Sequence, residues 1–344
     1  MNIPVILFFF SLILITGLLF SIPASADHAS ASFETGAAGA IMTAPGATLP
    51  TGKFVLGGSM QFIEFNDISD RALETFGAAD EDVHSIDNLF QYQVSLAWGV
   101  SDNLTIGASI PYLERNNIRA AHNDMGMGEV EAAGDASGIG DARLFGQFRF
   151  FHDALQDLAV IGGIKTPTGA TGEREAAGEL FETDHQPGSG SWDPFLGLAY
   201  NRGFGYTGFS ANVLYTWTTE GSQQTDPGNG FNYNLALSYR LFSAMESHHH
   251  HHDHEHSHEH AASIPDYIDV ALELNGDVRG KDEINGVHEE NSGGHILYLS
   301  PGMRIGFAHS WSFYTSIGVP VVNDLNGDQS EPDYRVIGGV NMTF

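Results

Sequence analysis

The sequence contains no cysteine, which excludes a disulfide scaffold, thiol catalysis and any cysteine-ligated metal. Basic residues are scarce: 14 Lys and Arg against 43 Asp and Glu leave a formal net charge of −29 at pH 7. Such a chain has no basic face for a phosphate backbone, so nucleic acid is excluded as a partner. Long apolar runs are missing too, with one exception. Val5 to Ile22 is almost wholly apolar and is followed by Ala24-Ser25-Ala26, a small-x-small cleavage pattern. Residues 1–26 therefore read as a secretory signal peptide cut before Asp27, although Met1 to Pro4 lacks the usual Lys or Arg. No other segment has 18 consecutive apolar residues, which excludes a helical membrane protein.

What the chain does have is glycine, at 41 of 344 residues, and aromatics, at 11%, against only 17% charged residues. That balance suits strands and turns better than helices. The apolar residues recur with period two. Phe231, Tyr233, Leu235, Leu237, Tyr239 and Leu241 alternate with Asn232, Asn234, Ala236, Ser238 and Arg240. Phe90 to Val100, Leu104 to Tyr112, Phe209 to Trp217 and Val336 to Phe344 alternate likewise.

A strand with one apolar and one polar face belongs either to a soluble sandwich or to a barrel facing lipid. These segments run to ~10–13 residues, the length of a tilted membrane strand, where soluble strands average ~5–6. Their polar face also carries Arg143, Arg149, Lys165, Arg240, Arg304 and Arg335, which belong beside a water-filled space. The expected fold is all-β: a transmembrane antiparallel barrel of about twelve strands over residues 50–344. The strands fall near 54–65, 89–100, 103–115, 141–151, 157–168, 192–201, 205–218, 231–242, 266–279, 295–307, 311–322 and 334–344. Connections alternate short and long, with the long ones at 66–88, 118–140, 169–191, 219–230, 280–294 and 323–333. Short periplasmic turns against long outer loops are the outer-membrane arrangement. Aromatics band at both ends: Trp98, Phe150, Phe307, Trp311 and Phe344 near the short turns, Tyr112, Trp192, Tyr215 and Trp217 near the long loops. Residues 27–49, rich in Ala and Gly, read as a periplasmic arm or a lumen insert.

Several motifs together give the chain a family likeness. They are Ala-Pro-Gly-Ala-Thr-Leu-Pro-Thr-Gly at 44–52, Trp98-Gly99-Val100-Ser101-Asp102-Asn103-Leu104, Ile110-Pro111-Tyr112 and Gly138-Ile139-Gly140-Asp141. Lys165-Thr166-Pro167-Thr168-Gly169, Gly188-Ser189-Gly190-Ser191-Trp192-Asp193, Ser300-Pro301-Gly302 and a last strand ending in Phe344 complete the set. The chain resembles the outer-membrane transporters of the MetA-pathway of phenol degradation family, over most of its mature length. The resemblance implies an outer-membrane barrel that moves small molecules. Its name hints at aromatic compounds, a substrate not legible in the residues themselves. The terminal aromatic resembles the sorting signal read by the outer-membrane assembly machinery, so that machinery and outer-membrane lipid are expected partners.

Two constellations carry candidate chemistry. The first is the tract His248, His249, His250, His251, His252, Asp253, His254, Glu255, His256, Ser257, His258, Glu259, His260, which holds nine of the chain's 17 His. Imidazole and carboxylate are ligands for zinc, nickel, cobalt or copper at neutral pH. The tract falls in a connection, 243–265, that an even strand count puts on the periplasmic side, where two to five residues would suffice. A metal-ion permeant, or a metal buffer without transport, is one reading of it; a solvated low-complexity loop is the other. The second is the inward set Arg143, Arg149, Lys165, Arg240, Arg304 and Arg335, with Asp269 and Glu273 in the same phase. These either select a permeant or pair to hold the barrel's shape. No cofactor is required by either. An enzyme is not expected: no Gly-x-Ser-x-Gly elbow sits at a strand-to-helix junction, and His309-Ser310 falls in a short turn. The expected function is passage of small solutes across the outer membrane, with uptake of hydrophobic or aromatic compounds as the alternative.

Overall fold

The computed structural model describes residues 40–244 and 265–344. Residues 1–26, expected to be a signal peptide, residues 27–39 of the expected arm and the His248–His260 tract lie outside the described residues. Twelve strands form the barrel: β1 (Phe54–Asn66), β2 (Asn88–Ser101), β3 (Leu104–Asp124), β4 (Arg143–His152), β5 (Gln156–Lys165), β6 (Asp193–Phe204), β7 (Thr207–Thr216), β8 (Gly230–Ser243), β9 (Tyr267–Arg279), β10 (Gly294–Phe307), β11 (Trp311–Leu325) and β12 (Glu331–Thr343). Each pairs antiparallel with its neighbours in the chain, and β12 returns to pair with β1 from Val55↔Thr343 to Asn66↔Glu331. Closure removes every free edge, which a bilayer requires because lipid cannot satisfy an open ladder.

The barrel is inside out, as the alternation predicts. Val94, Leu96, Ile106, Ile110, Leu198, Leu237 and Ile317 are exposed to the outside, whereas Thr105, Gln147, Ser238, Glu273 and Arg335 are buried within. Trp98, Phe150, Trp311 and Phe344 stand exposed at one end, and Tyr112, Trp192, Tyr215 and Trp217 at the other. At the short-turn end Phe54 stacks on both Trp98 and Phe344, with centroids 5.8 and 5.7 Å apart.

The long connections hold more structure than their sequence suggests. The 66–88 connection contains a helix, α1 (Asp70–Ala78), whose N-cap Ser69 accepts a hydrogen bond from the Ala72 amide, and a short strand, His84–Ser85. The 118–140 segment is no loop. β3 continues to Asp124, and the chain comes back as a further strand, Met127–Ile139, paired with it above the barrel wall. That strand, MGEVEAAGDASGI, is poor in β-branched and aromatic residues, so propensity hides it. Small residues are what its position needs. Ala133 and Ala136 are buried against Ile118 and Phe181, and α1 lies so close to the hairpin that a Cβ on Gly77 would strike the His122 carbonyl.

Candidate functional site

All seven sequence-assigned lumen residues face the interior, and most are engaged there. Arg240 makes a bidentate pair with Asp269, at 2.7 and 2.9 Å. Arg149 binds Asp157 at 3.0 Å. Lys165 bridges Asp141 at 3.3 Å and Asp193 at 2.5 Å. Arg335 packs 4.0 Å over the Tyr298 ring and donates to Asn275. Arg304 lies 5.1 Å over Tyr314 and donates to the Ala40 carbonyl. Arg143 sits over Phe195. Glu273, 1% exposed, accepts from the chain's own N-terminal segment.

That segment, residues 40–50, crosses the interior toward the short-turn end. The Ile41, Met42 and Thr43 amides and the Thr43 hydroxyl all donate to the Glu273 carboxylate. Further along, the Ala44 amide donates to Asn212, the Ala47 amide to Asn201 and the Leu49 amide to Thr105. Gln147 donates to the Pro45 and Ala47 carbonyls. The anchors come from β3, β4, β6, β7, β9 and β10, so the segment is gripped from around the wall. Fit is close: a Cβ on Gly46 would lie 2.5 Å from the Asp157 carbonyl oxygen and 2.9 Å from that of Ala199. At the exit, the Thr51 hydroxyl and amide donate to Asp102 and hold its carboxyl below the usual carboxylate range. An extended segment has no intrinsic partners for its backbone, so inward Asn, Gln, Thr and Glu supply them. Around it are small apolar clusters: Ala44 and Leu49 with Phe145, Phe195 and Leu214, and Ile41 and Met42 with Tyr314 and Ile337.

On the long-loop side of this plug the lumen opens into a cavity of about 120 Å³. Arg115, Arg143, Lys165 and Arg279 face Asp141, Asp193 and Asp277 across it. Arg115, Arg279 and Asp277 were not among the expected lumen residues, and Asp141 and Asp193 had entered only as parts of family motifs. Their phase contained the signal: Asp277 and Arg279 continue the Glu273 face of β9, and Arg115 continues the Thr105 face of β3. β8 ends and β9 begins where Ser243 faces Tyr267, at the same end as Phe54 and Phe344.

The model of one protein family, described as "Putative MetA-pathway of phenol degradation", matches residues 82–323. The chain belongs to this family. An outer-membrane channel from Pseudomonas putida F1 has a similar structure, with a TM-score of 0.53 over 87% of this chain and 97% of that one, at 15% identity. At that identity the likeness speaks for the fold. A TodX monoaromatic hydrocarbon channel variant aligns over 87% of this family member and 92% of its own length, at 10% identity and a TM-score of 0.42. The KdgM porin aligns over 85% and 99%, at 6% identity and a TM-score of 0.40. Neither of these two is close enough to support an argument. No curated protein matches the chain. The closed barrel, its lipid-facing apolar band and its family place the protein in the Gram-negative outer membrane.

Proposed function

We propose that this family member is an outer-membrane channel for small polar solutes, with its short-turn end closed by residues 40–50. The observation that carries the reading is the nature of the closure. The wall is joined by continuous strand ladders, whereas the plug is held by side-chain hydrogen bonds to inward polar residues. A closure of that kind can leave the lumen without breaking the barrel. Passage needs no cofactor or nucleotide, only diffusion through a charged constriction. Purified protein in planar bilayers should give small unitary conductance steps, and proteoliposomes should take up small charged solutes. Absence of both would assign the barrel a structural or binding role.

One observation favours the second reading, hydrophobic substrates leaving through the wall. β3 changes partner along its length, pairing with β4 over Leu104–Ser109 and with the Met127–Ile139 strand from Tyr112 upward. Pro111, which has no amide to give the ladder, sits at that change. Pro111 and Gln93 border both the lumen cavity and an apolar hollow on the lipid face.

The His248–His260 tract is proposed to bind zinc, nickel, cobalt or copper as an appendage at the periplasmic end, its ligands being His with Asp253, Glu255 and Glu259. Its support is ligand density in the sequence. Deleting 246–262 should abolish most metal uptake in calorimetric titration and leave barrel folding intact, since the deletion removes no barrel strand. Unchanged titration would reduce the tract to a solvated loop.

A further inference from the structure

We propose that His84, Glu182 and His185 form a binding site for a divalent transition-metal ion of the zinc class at the outer mouth of the barrel. The three come from two separate connections. His84 follows α1 in the short His84–Ser85 strand, and Glu182 and His185 lie in the connection between β5 and β6. One ligand atom from each lies within 4.8 Å of the other two. A tetrahedral zinc ion holds its ligands at about 2.0–2.1 Å, which sets the ligand atoms roughly 3.4 Å apart. Closing the set therefore takes side-chain rotation, without refolding either connection.

The surroundings are those of a built site. His185 is 1% exposed, and its ring meets that of His84 edge-on with centroids 4.8 Å apart. Asp184 lies 3.0 Å from Nδ1 of His185, a carboxylate placed to fix the ring and raise its basicity. The adjoining cavity, of about 70 Å³, is bordered by Asp82, Glu182, Asp184, Asp282, Glu289 and Asp328 and, among the described residues, by no Lys or Arg. A dication would offset the acidic character of this cavity. Two imidazoles beside a carboxylate select zinc, nickel, cobalt or copper over calcium, which prefers an all-oxygen shell. The bound ion would tie the 66–88 connection to the β5–β6 connection across the mouth. The proposal is independent of the channel reading and uses no residue of the His248–His260 tract.

Hydrogen exchange of the full-length protein in detergent, read peptide by peptide, tests the site without interference from that tract. Zinc at 100 times its dissociation constant should slow exchange about 100-fold in peptides spanning 82–86 and 180–187, because opening must first release the ion. Calcium at the same concentration should leave both unchanged. The protection should vanish in His84→Gln and in Glu182→Gln, with heat-modifiable electrophoretic mobility confirming that each barrel is folded. Zinc without effect on these peptides would overturn the proposal, as would equal protection in both folded variants. Equal protection by calcium would overturn the transition-metal assignment.

Discussion

Replacing Glu273 with alanine should raise single-channel conductance several-fold over the intact chain. This one carboxylate accepts from three consecutive backbone amides and a hydroxyl of the 40–50 segment, and from Asn275. Hydrogen bonds to a charged group contribute about 1.5–3 kcal/mol each, and stranded buried donors add their desolvation cost. Even a loss of about 3 kcal/mol shifts the balance between seated and released plug by more than 100-fold. Of the remaining anchors, Asn212, Asn201, Thr105 and Gln147 hold the far half of the segment, and Arg304 holds its near end through the Ala40 carbonyl. Barrel stability should change little, because Glu273 pairs with Ala236 and Ser300 in the ladder through its backbone. Glu273→Gln keeps one acceptor oxygen and should fall between the two. Conductance unchanged in Glu273→Ala, with the barrel folded, would show that residues 40–50 do not control the pore.

Replacing Lys165 with methionine should have the largest effect on stability, about 3–5 kcal/mol, the range for breaking a buried ion pair by removing one partner. Lys165 lies between Asp141 and Asp193, whose side chains are 5% and 2% exposed. Those carboxylates organise the β5–β6 connection: Asp141 accepts from the Gly169 and Ser189 amides, and Asp193 from Thr219 and Ser191. Without the ammonium group two anions face each other in a confined space. Urea unfolding in lipid vesicles, followed by tryptophan fluorescence, should move to lower denaturant, with Trp192 beside Asp193 reporting locally. Lys165→Met combined with Asp193→Asn should recover part of the loss, because the second change removes one of the opposed charges. Recovery of nothing would mean that Lys165 acts through packing. The single change should also turn ion selectivity toward cations, since the cavity then loses one of four basic side chains and keeps all three carboxylates.

The barrel was legible because its signal is local and repeated. Alternation along Phe231–Leu241 or Leu104–Tyr112 states which face meets lipid, and twelve such segments with alternating connection lengths state the topology. The same alternation put Arg143, Arg149, Lys165, Arg240, Glu273, Arg304 and Arg335 inside, and would have put Arg115 and Arg279 there had it been followed to the strand ends. Phase, however, says nothing of partners. That Glu273 of β9 meets Ile41, and that Lys165 of β5 stands between Asp141 and Asp193, depends on how the closed wall brings distant segments together.

The outer connections were least legible. Met127–Ile139 is a strand only because β3 extends far enough to pair with it, and α1 is short, with packing against that hairpin to hold it in place. Glu182 and His185 are neighbours in the chain but His84 is far from both, and the set forms only because two connections fold over one mouth. By itself the sequence determined the strand count, the inside-out sense of the wall and its aromatic ends, because a period-two pattern is carried by neighbouring residues. Only the tertiary structure decided that the lumen is plugged by the chain's own residues 40–50 and that His84 meets Glu182 and His185 at the mouth. Contacts within the closed barrel join residues far apart in the chain, as Ala40 and Arg304, 264 positions apart, show, and no local pattern encodes them.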